Sequence, residues 1–413
     1  MSAGLRCGWG ATGLLRRWLA RDGTAWGARA HSSCGQADEA SFSGGEGDDD
    51  GRRRAERLRE MEEAGMILSP SLPPEPRPTA PVNEESLTDL FSRRHTYLRI
   101  SLTERCNLRC RYCMPAEGVP LTPSSGLMTA SETSRLASLF VSMGVNKIRL
   151  TGGEPTLRRD LVEIVGGLSA LEGVDQVGMT SNGIVLGRHL RDLRGAGLTH
   201  LNVSLDTLRE ERFERMTRRS GKGLRKVLAA VDDALGLGFQ KVKLNVVVMK
   251  GENEDEVLDF VELARDRPLN VRFIEWMPFD GNVWSREKME PYAETRARIE
   301  EAVGPMAPTT RGRGEVAKDF RPEGFAGEVS FVTSMTEHFC DSCNRIRLMA
   351  DGNFKVCLFG NDEMDLLGPL RRGYSDGEIA HLIAGAVRGK KARHAGMFEL
   401  SRAPNRHMVR IGG

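Results

Sequence analysis

An α/β fold built on a full or partial β/α barrel is predicted for this chain, and three observations predict it. Six short β-rich runs recur between residues 96 and 276. Longer amphipathic stretches separate them, and loops rich in glycine and polar residues follow them. Strands alternating with helices make parallel βα units. Such barrels work at the C-terminal ends of their strands.

The elements follow in order. Residues 1–35 hold Arg6, Arg16, Arg17, Arg21 and Arg29 against one acid, Asp22, with Leu14, Leu15, Trp18 and Leu19 on one helical face. This is the composition of a mitochondrial transit peptide; a basic tail without a targeting role is the alternative. Residues 36–92 read as a disordered linker, Gly/Asp-rich at 44–51, charged at 52–63 and proline-rich at 70–81. The strands are TYLRIS (96–101), KIRLT (147–151), VGMT (177–180), THLNVS (199–204), KVKLNVVV (241–248) and VRFIEW (271–276). One helix follows Thr129 and Ser131 as candidate caps and places Leu136, Leu139, Phe140 and Met143 on one face. Others are expected near 159–171, 188–196, 224–237 and 254–265.

The chain has 413 residues and a net charge of +2. That balance gives no basis for bulk attraction to nucleic acid or a membrane surface. No apolar run approaches the length of a membrane span.

Eight cysteines are present. Setting aside Cys7 and Cys34 in the N-terminal stretch leaves two sets of three. The first, Cys106, Cys110 and Cys113, has C-x3-C-x2-C spacing directly after the first strand. Three thiolates can hold three corners of a four-iron cluster and leave one iron open, because cysteine ligation of such clusters is ordinarily fourfold. Zinc with a remote fourth ligand is the alternative. The second set, Cys340, Cys343 and Cys357, has C-x2-C-x13-C spacing. A hairpin turning at Asp351 and Gly352 would return Cys357 to the first two. Here zinc completed by His338 stays open on ligand count alone. Arg345 and Arg347 beside this set suit an anion pocket.

The first triplet, with Tyr112 before its last cysteine and GGEP at 152–155, resembles the radical S-adenosylmethionine (SAM) superfamily. The resemblance implies a [4Fe–4S] cluster on Cys106, Cys110 and Cys113, with SAM touched by the Tyr112 main chain, Gly153, Ser204 and Met277. Both triplets together, with CNLRCRYCMP, LTGGEP, TSNG, SLDTL, FIEWMPF, FCDSCNRIRL and a terminal IGG, resemble the GTP 3′,8-cyclase family of molybdenum cofactor biosynthesis over about residues 93–413. That family implies a partial (β/α)6 TIM-type barrel of the radical SAM class at 93–325. It also implies a C-terminal extension at 326–413, carrying a second [4Fe–4S] cluster on Cys340, Cys343 and Cys357 and ending in a GG tail that reaches the active site.

The implied reaction abstracts the ribose 3′ hydrogen of GTP with a 5′-deoxyadenosyl radical. The C3′ radical then attacks guanine C8, and one-electron reduction with protonation gives 3′,8-cyclo-7,8-dihydro-GTP. Cyclic pyranopterin monophosphate synthase is the companion that consumes the product. A triphosphate carries about four negative charges and needs several fixed cations. The resemblance assigns Arg99, Arg149, Thr180, Lys243, Arg272, Arg345, Ile346 and Arg347 to GTP. Each charge taken singly is as well read as a solvated outward-facing residue. Thr156 and Ser181 depart from the family pattern. A mitochondrial matrix location is implied, the electron donor is not identified, and a homodimer is left open. The competing readings are another radical SAM enzyme with an auxiliary cluster, such as a peptide maturase, and a non-catalytic zinc- or cluster-binding scaffold.

Overall fold

The computed structural model describes residues 84–412, apart from 283, 310–313 and 404. The expected transit peptide and the linker up to residue 83 lie outside the described residues. So does Gly413.

Six parallel strands form the centre: β1 (Tyr97–Ser101), β2 (Lys147–Thr151), β3 (Gln176–Ser181), β4 (His200–Ser204), β5 (Lys241–Val248) and β6 (Leu269–Glu275). They match the six runs read from the sequence to within about two residues. Six further strands extend the sheet: β7 (Met306–Pro308), β8 (Lys318–Pro322), β9 (Glu328–Val332), β10 (Arg345–Leu348), β11 (Asn353–Lys355) and β12 (Met364–Asp365). The order is β12-β11-β10-β1-β2-β3-β4-β5-β6-β9-β8-β7, so the sheet is an open, partial barrel. The C-terminal region joins both of its edges. β10 pairs parallel with β1, and β9 parallel with β6. The hairpin expected at Asp351 and Gly352 is β10–β11, antiparallel and with Gly352 at φ +77°.

Alternation along the strands separates two faces. Leu98, Ile100, Ile148, Leu150, Val177, Met179, Leu201, Val203, Val242 and Leu244 are buried against the helices. The intervening residues Tyr97, Arg99, Lys147, Arg149, Thr180, Asn202, Ser204, Lys243, Asn245 and Arg272 face an interior cavity. A β/α barrel interior is ordinarily filled by branched apolar side chains; this one is polar. The helix Ala130–Ser142 has a capping box in which Thr129 is the cap and Glu132 its partner, so Ser131 lies inside the helix. Its Leu136 and Phe140 are fully buried. The helix Glu210–Thr217 was not read from the sequence.

Residues ahead of 93 belong to the packed structure too. Residues 84–92, read as linker, carry the 3-10 turn Glu84–Leu87, and Leu87 is completely buried in the main apolar cluster. Beyond it, Asp89 accepts from Arg93 Nε at 2.7 Å. The Arg93 guanidinium donates to the carbonyls of Cys340 (2.8 Å), Lys391 (2.7 Å) and Ala392 (2.7 Å). This segment therefore ties the loop of the second cysteine set to the chain near residue 391. Leu87→Ala is expected to lower stability by about 2–4 kcal/mol through cavity formation. A urea-unfolding midpoint equal to that of the unsubstituted chain would show that the segment packs only loosely.

Candidate active site

One cavity of about 480 Å³ is lined by all six cysteines outside the N-terminal stretch, and each is a free thiol. Among the described residues no group of three His, Cys, Asp or Glu side chains closes on a single ion. The thiols are spread instead over two parts of the wall.

The first set lies in the loop after the C-terminal end of β1. This loop docks edge to edge on the loop after β2. Leu102 N donates to Thr151 O (2.9 Å), Gly153 N to Thr103 O (2.7 Å) and Glu154 N to Arg105 O (2.8 Å). The two glycines are required by this approach: a Cβ on Gly152 would stand 2.4 Å from Thr103 O, and one on Gly153 2.3 Å from Arg105 O. Glu154 is fully buried and joins these loops to the one after β3. It accepts from Asn182 N (2.7 Å), Ser181 Oγ (2.8 Å) and Thr156 Oγ1 (2.6 Å). The two departures from the family pattern, Thr156 and Ser181, thus both donate to Glu154 Oε1.

Donors are aimed at the Cys106 sulfur: Leu108 N at 3.5 Å and Asn182 Nδ2 at 3.8 Å. Burial pushes the Cys110 and Cys113 thiols well up, and Asp206 and the neighbouring thiols reinforce it. Buried thiols crowded with a carboxylate are suited to a metal cluster, which removes their protons and balances their charge. The Tyr112 hydroxyl donates to Asp206 Oδ2 at 2.8 Å, and its carbonyl accepts from Asn282 Nδ2 at 3.2 Å. That amide also donates to Met277 O at 2.9 Å. Burial pushes Asp206 up to about 6. Gly153, Ser204 and Met277 line the same end of the cavity.

The second set reaches the cavity at the other end of the strands. Cys343 precedes β10, whose Arg345 is in register with Tyr97 at the start of β1. Cys357 follows β11, which runs back antiparallel. The two triplets therefore lie at opposite ends of the strands. His338 packs edge-on against His394 (ring centroids 5.9 Å), and the cavity wall is formed by His394 and not by His338.

Between the triplets stand the cations. Arg347, Arg99 and Arg149 are in register on β10, β1 and β2, and one inward step earlier stand Arg345, Tyr97 and Lys147. Gly178 leaves room for this row, since a Cβ there would meet Arg149 Nη2 at 2.9 Å. Lys243 and Arg272 complete the wall from β5 and β6. Burial lowers Lys243 to about 6 and Arg99 to about 9, with repulsion from other cations adding to it. Burial also lowers Arg272 and Arg347. Arg272 Nε and Nη2, Arg345 Nη1 and Arg347 Nε are buried without a hydrogen-bond partner. Such donors call for an anion. Ile346 differs from the other expected site residues. Its side chain is fully buried on the opposite face, in register with Leu98, and only its main chain remains for a ligand.

Several wall residues were not singled out in the sequence. Tyr97 and Lys147 lie two residues before Arg99 and Arg149, so strand alternation alone points to them. Glu315 pairs with Lys147 Nζ at 2.6 Å. Its burial is outweighed by Lys243 and Lys147, which hold the carboxyl well below the usual range. The C-terminal segment forms the last wall. Met408 Sδ is 3.5 Å from Cys113 Sγ, Arg410 pairs with Glu104 at 3.3 Å, and Gly412 O accepts from Arg99 at 3.5 Å.

Residues 100–264 match the radical SAM superfamily, and residues 269–396 match the molybdenum cofactor synthesis C family. A curated relative from Arabidopsis thaliana, named GTP 3′,8-cyclase, mitochondrial, is 55% identical over 329 residues, covering 80% of this chain and 84% of that protein. The chain belongs to the GTP 3′,8-cyclase family of radical SAM enzymes. A GTP 3′,8-cyclase of Moorella thermoacetica is 44% identical over 331 residues, covering 79% of this chain and all of that protein. Molybdenum cofactor biosynthesis protein 1 of Bos taurus is 54% identical over 325 residues, 79% of this chain but 51% of that protein. The chain thus spans about half the length of such animal relatives. Among the described residues, no helix is long and apolar enough to cross a membrane.

Tyr97 supplies a pH-dependent test of this cyclase-family cavity. Burial opposes its ionisation, but Arg149, Arg99, Arg345 and Lys147 outweigh that and lower it to about 7. Arg149 Nε donates to its hydroxyl at 2.5 Å. A phenol lowered in the folded state stabilises the fold as pH rises above about 7, fully above about 10, and that contribution is lost as pH falls through 7. Ultraviolet titration of the chain without nucleotide is expected to show one tyrosinate step near pH 7 that Tyr97→Phe removes. A first step near 10 would contradict the arrangement.

Proposed function

We propose that this chain is a GTP 3′,8-cyclase, joining ribose C3′ of GTP to guanine C8 in the first step of molybdenum cofactor biosynthesis. The observation that carries the reading is the pair of in-register cation rows, lying in one cavity between two sets of three free thiols. In this reading Cys106, Cys110 and Cys113 hold one [4Fe–4S] cluster, and the Tyr112 main chain, Gly153, Ser204 and Met277 contact SAM. Cluster and SAM together supply a 5′-deoxyadenosyl radical when bound. Cys340, Cys343 and Cys357 hold a second four-iron cluster.

The chain's own residues orient the substrate. Arg99, Arg149, Lys243, Arg272, Arg345 and Arg347 bind the triphosphate, with Thr180 and the Ile346 main chain beside it. Lys147 joins them once the anion competes with Glu315. Fixing the phosphates at several points holds the ribose between the two triplets, which is the positioning a radical transfer needs. The wall formed by residues 408–412 limits water at the first triplet. Relatives named as cyclases or molybdenum cofactor proteins speak against the peptide-maturase alternative. The product, 3′,8-cyclo-7,8-dihydro-GTP, would pass to cyclic pyranopterin monophosphate synthase. The name of the Arabidopsis relative and the composition of residues 1–35 support a mitochondrial location, in the matrix by our reading.

Anaerobic incubation with SAM, GTP and reductant is expected to yield the cyclised nucleotide; failure of a fully iron-loaded chain to form it would refute the reading. Arg347→Ala is expected to lower GTP cyclisation about 10–100-fold, the range for losing a charge-assisted contact, while SAM cleavage stays detectable. Unchanged cyclisation would remove Arg347 from the substrate site. Reconstituted chain is expected to bind about eight iron atoms. Zinc at Cys340, Cys343 and Cys357 would overturn the second cluster.

A further inference from the structure

Lys390 follows the helix Asp376–Arg388 and is 4% exposed. Its Nζ lies 3.6 Å from Cys343 Sγ and donates to the main-chain carbonyl of Arg345 at 3.0 Å. Two bonds to neighbouring points of one segment fix the amine. The backbone on either side is fixed too, because Arg93 binds the carbonyls of Lys391 and Ala392 together with that of Cys340.

A buried amine is costly unless an anion faces it. Burial disfavours the charge on Lys390, the Cys343 and Cys357 thiols favour it, and the Arg93 and Arg347 guanidiniums oppose it. The Cys343 sulfur faces the amine directly.

We infer that Lys390 tunes the second iron–sulfur site, donating a hydrogen bond to the Cys343 sulfur and thereby raising the reduction potential of the cluster held there. The inference rests on the proposed second cluster. Reduction adds negative charge to the cluster, and hydrogen bonds to its sulfurs set its potential. A cation held against one sulfur favours the reduced state. Lys390 is thus a positioning residue acting through Cys343, with no contact to substrate required.

The test uses the full-length chain with Cys106, Cys110 and Cys113 replaced by alanine, reconstituted anaerobically so that iron can reside only at the second site. Metal analysis comes first. A parent holding about four irons supports the second cluster, whereas zinc or no iron defeats that reading and the inference with it. Potentiometry followed by electron paramagnetic resonance then compares Lys390→Met with this parent. The expected result is a fall of at least tenfold in the reduction equilibrium, ~59 mV for one electron, with Lys390→Arg remaining near the parent. An unchanged potential in an iron-loaded Lys390→Met chain overturns the inference. Should Lys390→Met lose iron, Lys390→Gln is measured in the same way, and a lowered potential there supports the inference. Loss of iron from both variants, with circular dichroism unchanged, assigns Lys390 to holding the loop and overturns it.

Discussion

The constraint on which this structure turns is the in-register stacking of like charges on the inner face of the sheet. Arg347, Arg99 and Arg149 stand on three adjacent strands at one level. Parallel pairing fixes their separation, so they cannot move apart without breaking the ladder. Burial disfavours the charge of Arg99 and Arg347, and neighbouring arginines disfavour it again. The protein relieves part of this with Tyr97, which lies under Lys147 and Arg345 at 4.8 and 5.1 Å from its ring centre, and with Glu315. Those groups leave several guanidinium donors unmatched. A polyanion is the ligand that satisfies the remaining donors and charge together.

The rest of the fold serves that arrangement. The open sheet edge beside β1 is where the C-terminal hairpin attaches, and this attachment brings in Arg345 and Arg347. The same hairpin carries Cys343 and Cys357 to the strand ends farthest from Cys106, Cys110 and Cys113. The cation rows therefore lie between two thiol sets because of one parallel pairing, β1 with β10. At the opposite end, Glu154 performs a different task. Its carboxylate accepts from Thr156 after β2 and from Ser181 and Asn182 at the end of β3, and its main-chain N donates to Arg105 O after β1, so the three loops are set as one unit, and the close approach at Gly152 and Gly153 completes it.

The six central strands were legible because each has its own local signal: a short β-branched run followed by a turn-forming loop. The hairpin was legible because Asp351 and Gly352 announce its turn. What was not legible depended on partners far along the chain. β7–β9 have little local pattern, and their place at the β6 edge comes from pairing alone. Leu87 sits near a proline-rich, charged stretch, and only its packing against the helix near residue 380 shows it to be core. Lys390 and Glu315 are single charges in loops, indistinguishable in sequence from solvated ones. The placement of the triplets at opposite strand ends was not legible for a related reason: the direction of β10 relative to β1 is a tertiary fact. Ile346 was grouped with its neighbours by adjacency, whereas strand alternation turns its side chain the other way.

The C-terminal segment shows how a few small contacts can govern a large cavity. Gly412 has φ +78°, and a Cβ there would come within 2.3 Å of Thr151 Oγ1. A side chain at this position would therefore push against the end of β2, directly before the Gly152 turn that supports the cysteine loop. Val409 and Ile411 are buried, and Arg410 reaches Glu104, which itself accepts from Thr122 at 2.7 and 2.9 Å. The segment is thus held from two sides while its main chain stays against Arg99. The cation rows and this wall thus share one arginine, Arg99.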